Sequence, residues 1–125
     1  INNSKNILKA VGEYVYNNLK SNNIIINKPQ GGFYLMPEFV NKNFSSSDEM
    51  CSDILKKTGV ALLPGSDFGF SKNKMIVRLS FTDFDGRTFM KNVSDTENID
   101  DNLISRFAPN IVEGVNNLKR WSEST

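Results

Sequence analysis

Residues 75–82 read MIVRLSFT, and they carry the clearest strand pattern in the chain. Apolar and mixed positions alternate with a period of two, which places successive side chains on opposite faces of an extended backbone. We therefore predict a β-strand over residues 75–82. Its apolar face would consist of Met75, Val77, Leu79 and Phe81, and its other face of Ile76, Arg78 and Ser80.

Arg78 is the first candidate for a binding residue, because its neighbours Val77 and Leu79 are apolar. A guanidinium that is partly withdrawn from water must be paired, since an unpaired buried charge is strongly destabilising. Its planar fork matches a carboxylate through two parallel hydrogen bonds. The pattern leaves two other interpretations open: an arginine on the solvent face of the strand, or one paired with a nearby aspartate.

The residues before this strand predict a short buried strand over 60–63, a turn at Pro64-Gly65 and a loop over 66–74. Glycines and hydroxyl groups in the loop could line a cleft. The loop lacks the following helix and the Lys-Ser/Thr end of a phosphate-binding loop, so a structural role is the simpler interpretation.

A helix is predicted further upstream. Ser47 is its expected N-cap, and Gly59 is the expected left-handed residue after its last turn. The buried stripe of this helix would contain Met50, Cys51, Ile54 and Leu55.

The sequence Pro29-Gln30-Gly31-Gly32 predicts a tight turn, followed by a strand over 33–36 that Pro37 closes. Paired glycines before an aromatic strand allow backbone to approach a ligand without interference from a Cβ atom. A plain type II turn is the alternative.

Both ends of the chain are predicted to be helical. The first helix would span residues 4–20, and residues 24–26 would be extended. A weak helix over 87–93 and an acidic linker over 95–101 would precede a last helix that Pro109 disturbs near its start. Long helices covering one face of a small, mostly antiparallel sheet would make a two-layer α+β sandwich. The stripe of the last helix would consist of Leu103, Ile104, Phe107, Ile111, Val115, Leu118 and Trp121.

The composition narrows the possible functions. Fifteen basic and fourteen acidic residues argue against a nucleic-acid surface, and no apolar run approaches the ~20 residues of a membrane span. The chain has no histidine, which excludes Ser-His-Asp and Cys-His pairs and histidine-ligated zinc, and we expect no metal site. The single cysteine, Cys51, is expected to be an inert core thiol in a reducing, cytoplasmic compartment.

The 125 residues are enough for one domain, and we expect residues 1–125 to form it. The chain opens at Ile1 directly in front of a helical pattern, so we expect a fragment of a longer polypeptide.

Three blocks occur in a particular order: GGFYLMP at 31–37, GVALLPGSDFG at 59–69, and IVRLSF at 76–81. In order and spacing they resemble the closing third of class I/II aminotransferases, which are fold-type I enzymes that depend on pyridoxal phosphate. The resemblance extends over nearly the whole chain. It implies the C-terminal small domain of such an enzyme, without the large domain that binds the cofactor.

The resemblance also implies residue roles. Arg78 matches the arginine that binds the α-carboxylate of the substrate, and Gly32 matches a glycine whose backbone borders the substrate. Supporting positions would be Gly31, Phe33, Tyr34, Pro64 and Gly65.

No catalytic residue is expected in this chain, because the lysine that holds the cofactor lies in the large domain; Lys72 and Lys74 do not match it. The full-length enzyme would bind pyridoxal phosphate, act on amino acids and 2-oxo acids, and form a homodimer. This chain alone would neither bind the cofactor nor be active.

The sequence leaves other functions open. The chain could be a free-standing α+β module that binds a carboxylate metabolite through Arg78 without chemistry. A degenerate relative without activity and a related lyase or synthase are further alternatives. The amino donor and acceptor do not follow from these residues.

Overall fold

The computed structural model describes residues 2–26, 34–80, 104–105 and 109–124, with side chains from Lys9 onward. Three helices carry most of this structure: α1 (Asn2–Leu19), α2 (Ser47–Thr58) and α3 (Pro109–Glu123). The strands are short: β1 (Ile24–Ile25), β2 (Tyr34–Leu35), β3 (Glu38–Phe39), β4 (Leu63–Pro64) and β5 (Val77–Ser80). A 3-10 helix, Gly65–Phe68, follows β4 directly.

The strands form two antiparallel ladders. β5 is the central strand of a three-stranded sheet with the order β2-β5-β4, and β1 pairs with β3. In the larger sheet Tyr34 lies opposite Ser80, and Leu63 lies opposite Arg78. Hydrogen bonds join the ladders, from Phe39 N to Met75 O (2.9 Å) and from Val77 N to Pro37 O (3.1 Å).

One face of the sheet packs on the helices. Helix α3 contacts both α1 and α2, and α2 also contacts β4. The apolar stripe of each helix and the inward residues of the strands share one core. This is the predicted two-layer α+β sandwich with a small antiparallel sheet, and the prediction is confirmed. Fully buried side chains at its centre include Val11, Val15, Leu19, Ile24, Phe39, Met50, Ile54, Val77, Ile104 and Leu118.

Helix α2 begins one residue earlier than predicted. Ser46, not Ser47, is the N-cap: its backbone is extended, and its Oγ accepts a hydrogen bond from Glu49 N at 3.1 Å. Ser47 is instead fully buried, and its backbone N–H donates to Lys72 O at 2.7 Å. This contact with a distant loop draws Ser47 into the first turn, which makes the preceding serine the cap.

The C-terminal end of α2 agrees with the prediction, but its buried apolar stripe contains fewer residues than predicted. Gly59 adopts a left-handed conformation (φ 77°) and donates its N–H to Leu55 O at 3.0 Å. Met50, Cys51 and Ile54 are buried as predicted, but Leu55 is 50% exposed. The prediction for Leu55 was wrong because neighbouring helical residues differ by about 100° in direction, and Ile54 already faces the core.

Other boundaries also shift. The strand predicted over 60–63 is observed at Leu63–Pro64. The one predicted over 75–82 begins at Val77 and is described as far as Ser80, with Ile76 in an isolated bridge to Glu38, while Phe81 and residue 82 lie outside the described residues. Pro109 is the first residue of α3, a position where proline loses no helical hydrogen bond. Residues 104–105 before it are also helical, and 106–108 lie outside the described residues. The turn at 29–32, the helix at 87–93 and the linker at 95–101 lie outside the described residues.

Candidate functional site

Among the described residues, the three-stranded sheet has a second face that the helices leave uncovered. Along β5, Val77 and Leu79 are buried in the core, while Arg78 is half-buried and Ser80 is exposed. Tyr34 on β2 and Leu63 on β4 point to the same open side, at 44% and 50% exposure. The period-two pattern predicted from residues 75–82 therefore produces a core face and an open face, and Arg78 lies on the open one.

The guanidinium of Arg78 packs against two aromatic rings. Its central carbon lies 4.5 Å from the ring centroid of Tyr34 and 4.8 Å from that of Phe68. Attraction between a cation and the face of a ring amounts to ~0.5–2 kcal/mol, and it is larger when the pair is shielded from water. Arg78 thus lies on the open face of the sheet, between one ring from β2 and one ring from the loop after β4.

The hydrogen-bonding capacity of Arg78 is not fully used within the described part of the chain. The Nε atom is buried and has no hydrogen-bond partner there. Among the same residues, the ion pair found is Lys57 with Asp53 (3.2 Å), and none involves Arg78. The pairing with a nearby aspartate that the sequence left open is therefore not seen in these ranges. Such a guanidinium is suited to an anionic ligand, since its donors lack an acceptor.

Tyr34 reaches Arg78 through the strand register. Tyr34 lies directly opposite Ser80, and Arg78 is two residues before Ser80 on the same strand face. Diagonal neighbours of this kind are ~7–8 Å apart at the backbone, within the reach of an aromatic and a long side chain. The two residues are in contact because β2 and β5 pair in this register.

Phe68 reaches Arg78 through the turn that follows β4. Gly65 N donates to Ile76 O at 2.8 Å, and a Cβ atom on Gly65 would lie 2.7 Å from the same oxygen. The absence of a side chain allows this close approach. The 3-10 helix then ends at Gly69 (φ 96°), whose N–H donates to Gly65 O. This turn brings Phe68 back toward the β5 strand.

The structure brings together four of the residues predicted for the site. Arg78 contacts Tyr34, Pro64 pairs with Val77 beside it, and Gly65 anchors the turn to Ile76. Gly31, Gly32 and Phe33 lie outside the described residues.

The sequence did not single out Phe68, because the loop that contains it was interpreted as structural. The signal that could have identified it is its position: Phe68 is an aromatic residue four positions after the end of β4, and β4 pairs with the strand that carries Arg78.

Cys51 lies on the buried face of α2. It is a free, buried cysteine, as predicted. Burial, reinforced by the charges of Asp48 and Asp67, raises the pKa of its thiol to about 11. Because the thiolate is the reactive form, this thiol is unreactive near neutral pH.

A second polar cluster ties α3 to α2. Trp121 Nε1 donates to Asp53 Oδ2 at 2.9 Å, and Lys57 pairs with the same carboxylate. The hydrogen bond from Trp121 is the main cause that lowers the pKa of Asp53. Lys42 Nζ lies 4.3 Å from the Trp121 ring and donates to Ser124 O at 2.7 Å. We interpret this cluster as structural, since the bond between Trp121 and Asp53 joins α3 to α2.

Two features are absent from the described ranges. No group of three cysteine, aspartate or glutamate residues there is arranged to bind a metal ion. No helix in the same ranges is both long enough and apolar enough to cross a membrane.

Fold and site together define a two-layer α+β domain that presents an arginine between aromatic rings on the open face of its sheet. The family model for aminotransferase class I and II matches residues 1–88 of this 125-residue chain. The chain therefore belongs to the class I and II aminotransferase family.

Curated relatives agree with this assignment. The chain is similar to an aspartate aminotransferase of Sulfolobus acidocaldarius, at 30% identity over 112 residues, which are 86% of this chain and 24% of that protein. It is also similar to a probable N-acetyl-LL-diaminopimelate aminotransferase of Bacillus subtilis, at 39% identity over 69 residues, covering 55% of this chain and 17% of the relative.

Solved structures share the fold. An alanine aminotransferase from Pyrococcus furiosus matches with a TM-score of 0.65 at 21% identity, over 93% of this chain and 24% of that one. An aspartate aminotransferase from Thermotoga maritima matches with a TM-score of 0.62 at 23% identity, over 94% of this chain and 23% of that one. The chain thus spans about a quarter of the length of these proteins.

Class I and II aminotransferases depend on pyridoxal phosphate. A cavity of about 260 Å³ lies between α1, α3 and the segment after α2, and its lining is mostly apolar. The lining includes no lysine that could hold the cofactor and no carboxylate that could face its ring nitrogen. The residues that line this cavity therefore do not fit pyridoxal phosphate.

Proposed function

We propose that this chain is the C-terminal small domain of a pyridoxal-phosphate-dependent aminotransferase, and that Arg78 binds the α-carboxylate of its substrates. The observation that carries the proposal is the guanidinium on the open face of the sheet, packed against Tyr34 and Phe68 with its Nε lacking an acceptor in the described residues. Membership of the family supports the reaction class.

An amino acid and a 2-oxo acid share the carboxylate and differ at the neighbouring carbon. One guanidinium fork can therefore orient both partners of an amino-group transfer through two parallel hydrogen bonds. The cofactor, supplied by the large domain, provides the electron sink for the reaction. The contribution of this domain is orientation of the substrate.

Binding of the carboxylate would also move the domain. An arginine on a rigid strand transmits the attraction to the whole sheet, drawing the small domain over the cleft and excluding water. We assign Gly32 to the border of the substrate, with supporting positions at Gly31, Phe33, Tyr34, Pro64 and Gly65. The positions of Tyr34, Pro64 and Gly65 beside the Arg78 strand support their part of this assignment.

The complete enzyme is proposed to be a cytoplasmic homodimer that acts on amino acids and 2-oxo acids. A reducing compartment is supported by Cys51, a single free thiol.

Substitution of Arg78 tests the proposal in the enzyme that carries this domain together with its cofactor-binding domain. Arg78→Ala is expected to lower kcat/KM by roughly thirty- to a thousand-fold, or ~2–4 kcal/mol of transition-state stabilisation, because the carboxylate loses a charged partner. Arg78→Lys should restore activity only in part, since one ammonium group cannot reproduce the fork. Steady-state kinetics with several amino donors provides the measurement.

Lys42→Ala is the matched control, because it removes a cation that also packs on an aromatic ring but lies in the structural cluster around Trp121. Its kcat/KM should stay close to that of the unmodified enzyme. A loss below about threefold for Arg78→Ala would reject the assignment, as this corresponds to less than ~0.7 kcal/mol.

A further inference from the structure

We infer that Phe68 and Tyr34 are positioning residues that orient the Arg78 guanidinium for the substrate carboxylate. The inference rests on the proposed role of Arg78 and extends it to two aromatic residues. Both rings lie within 5 Å of the guanidinium carbon, at 4.5 Å and 4.8 Å. Both are nevertheless substantially exposed, Tyr34 at 44% and Phe68 at 40%. The core of the domain therefore gains little from either ring.

The two rings reach Arg78 from separate elements. Tyr34 belongs to β2, on one side of β5, and Phe68 follows β4, on the other side. Arg78 lies in the central strand between them. A long side chain with several rotatable bonds is thus restrained from both neighbouring strands, which reduces the freedom it must lose when a ligand binds.

Hydrogen bonding does not supply this restraint within the described residues. The Nε atom is buried without a partner, and no carboxylate pairs with the guanidinium there. Ring packing is consequently the contact that sets the direction of the fork in these ranges. Removal of a ring should leave the charge in place and loosen its orientation. Because carboxylate binding depends on two parallel hydrogen bonds, the loss should affect every substrate that carries the α-carboxylate.

Phe68→Leu is the decisive variant, measured in the enzyme that carries this domain with its cofactor-binding domain. We expect the KM values of the amino acid and the 2-oxo acid to rise together, by about three- to tenfold, with kcat changed by less than about twofold. Phe68→Tyr, which keeps the ring, should stay within about twofold of the unmodified enzyme. Tyr34→Leu and Tyr34→Phe should behave as a second pair in the same way.

Phe70→Leu is the matched control. Phe70 is 41% exposed, almost the same as Phe68, lies two residues away, and is not in ring contact with Arg78 in the described structure. Its substitution should leave both KM values unchanged. An equal rise for Phe68→Leu and Phe70→Leu would show a general effect of the loop and overturn the inference.

A double-mutant cycle separates positioning from folding. In an Arg78→Ala background, Phe68→Leu should change kcat/KM by less than about twofold, because there is no guanidinium left to orient. The same loss in both backgrounds would overturn the inference, as would a Phe68→Leu enzyme with unchanged KM values. If Arg78→Ala alone has no effect, the proposed function itself is rejected. A large Arg78→Ala effect with a silent Phe68→Leu rejects the positioning role only.

Discussion

At the scale of single residues, the surroundings of the Arg78 guanidinium determine which ligand it can bind. Arg78 sits between two apolar residues in sequence, yet its side chain emerges on the uncovered face of the sheet. Aromatic rings shield the guanidinium there without neutralising its charge. A guanidinium packed between rings still attracts an anion, whereas a neighbouring carboxylate would compete with the ligand.

Gly65 is the residue whose size matters most for the loop that carries Phe68. Gly65→Ala should destabilise the chain by about 1–3 kcal/mol, because the added Cβ would lie 2.7 Å from the backbone oxygen of Ile76. Urea unfolding followed by circular dichroism measures the change.

Gly114→Ala, in the interior of α3, is the matched control. Its added Cβ would meet Val60 Cγ2 at an ordinary 3.7 Å. This substitution should stabilise the chain by about 0.5–1 kcal/mol, since alanine loses less backbone entropy than glycine in a helix. If Gly65→Ala proves neutral, the close approach of the turn to Ile76 is wrong.

At the scale of elements, contacts of a helix with other parts of the chain decide features that its own sequence leaves open. Two adjacent serines could each cap α2, and the contact of Ser47 with the 66–72 loop selects Ser46. Trp121 of α3 lies across α2, with its ring edge against Phe39 (5.1 Å between centroids) and its indole N–H on Asp53. Trp121 therefore adds both apolar and polar contacts to the packing that Ile111, Val115 and Leu118 of α3 make in the core.

The hydrogen bond between Trp121 and Asp53 predicts a pH dependence of stability. Because the pKa of Asp53 is lowered in the folded state, its contribution is present above the unfolded value of about 3.9 and is lost as the pH falls through the folded value. The difference in unfolding free energy between the unmodified chain and Asp53→Asn should hold steady near neutral pH and shrink below about pH 4.

Chemical unfolding at a series of pH values, performed on both variants, gives this difference directly. Asp48→Asn serves as the control, since Asp48 is an exposed acid in the first turn of the same helix. A difference for Asp53→Asn that stays constant from pH 7 to about pH 3 would contradict the expected linkage.

At the scale of the whole molecule, the domain has one covered and one open sheet face. The helices and the inner sheet face form a single core, while the open face carries Arg78, Tyr34 and Leu63. The chain spans about a quarter of the length of its relatives.

The 125-residue chain alone is expected to show no transaminase activity when pyridoxal phosphate is added, since the lining of its cavity contains no lysine that could hold the cofactor. A coupled assay of 2-oxo acid formation, with the complete enzyme as the positive control, measures this. An absorbance band of a lysine-bound cofactor that disappears on borohydride reduction would contradict the expectation.

Periodicity, caps and composition were sufficient for the α+β class, the existence of α1, α2 and α3, the end of α2 at Gly59 and the two faces of β5, because these depend on neighbours along the chain. Membership of the family could also be inferred, from three short blocks in a fixed order. Tertiary contacts decided the rest: the cap at Ser46, the exposure of Leu55, and the packing of Phe68 on Arg78. Each of these depends on residues that are far apart in sequence and meet only when the sheet and helices have assembled.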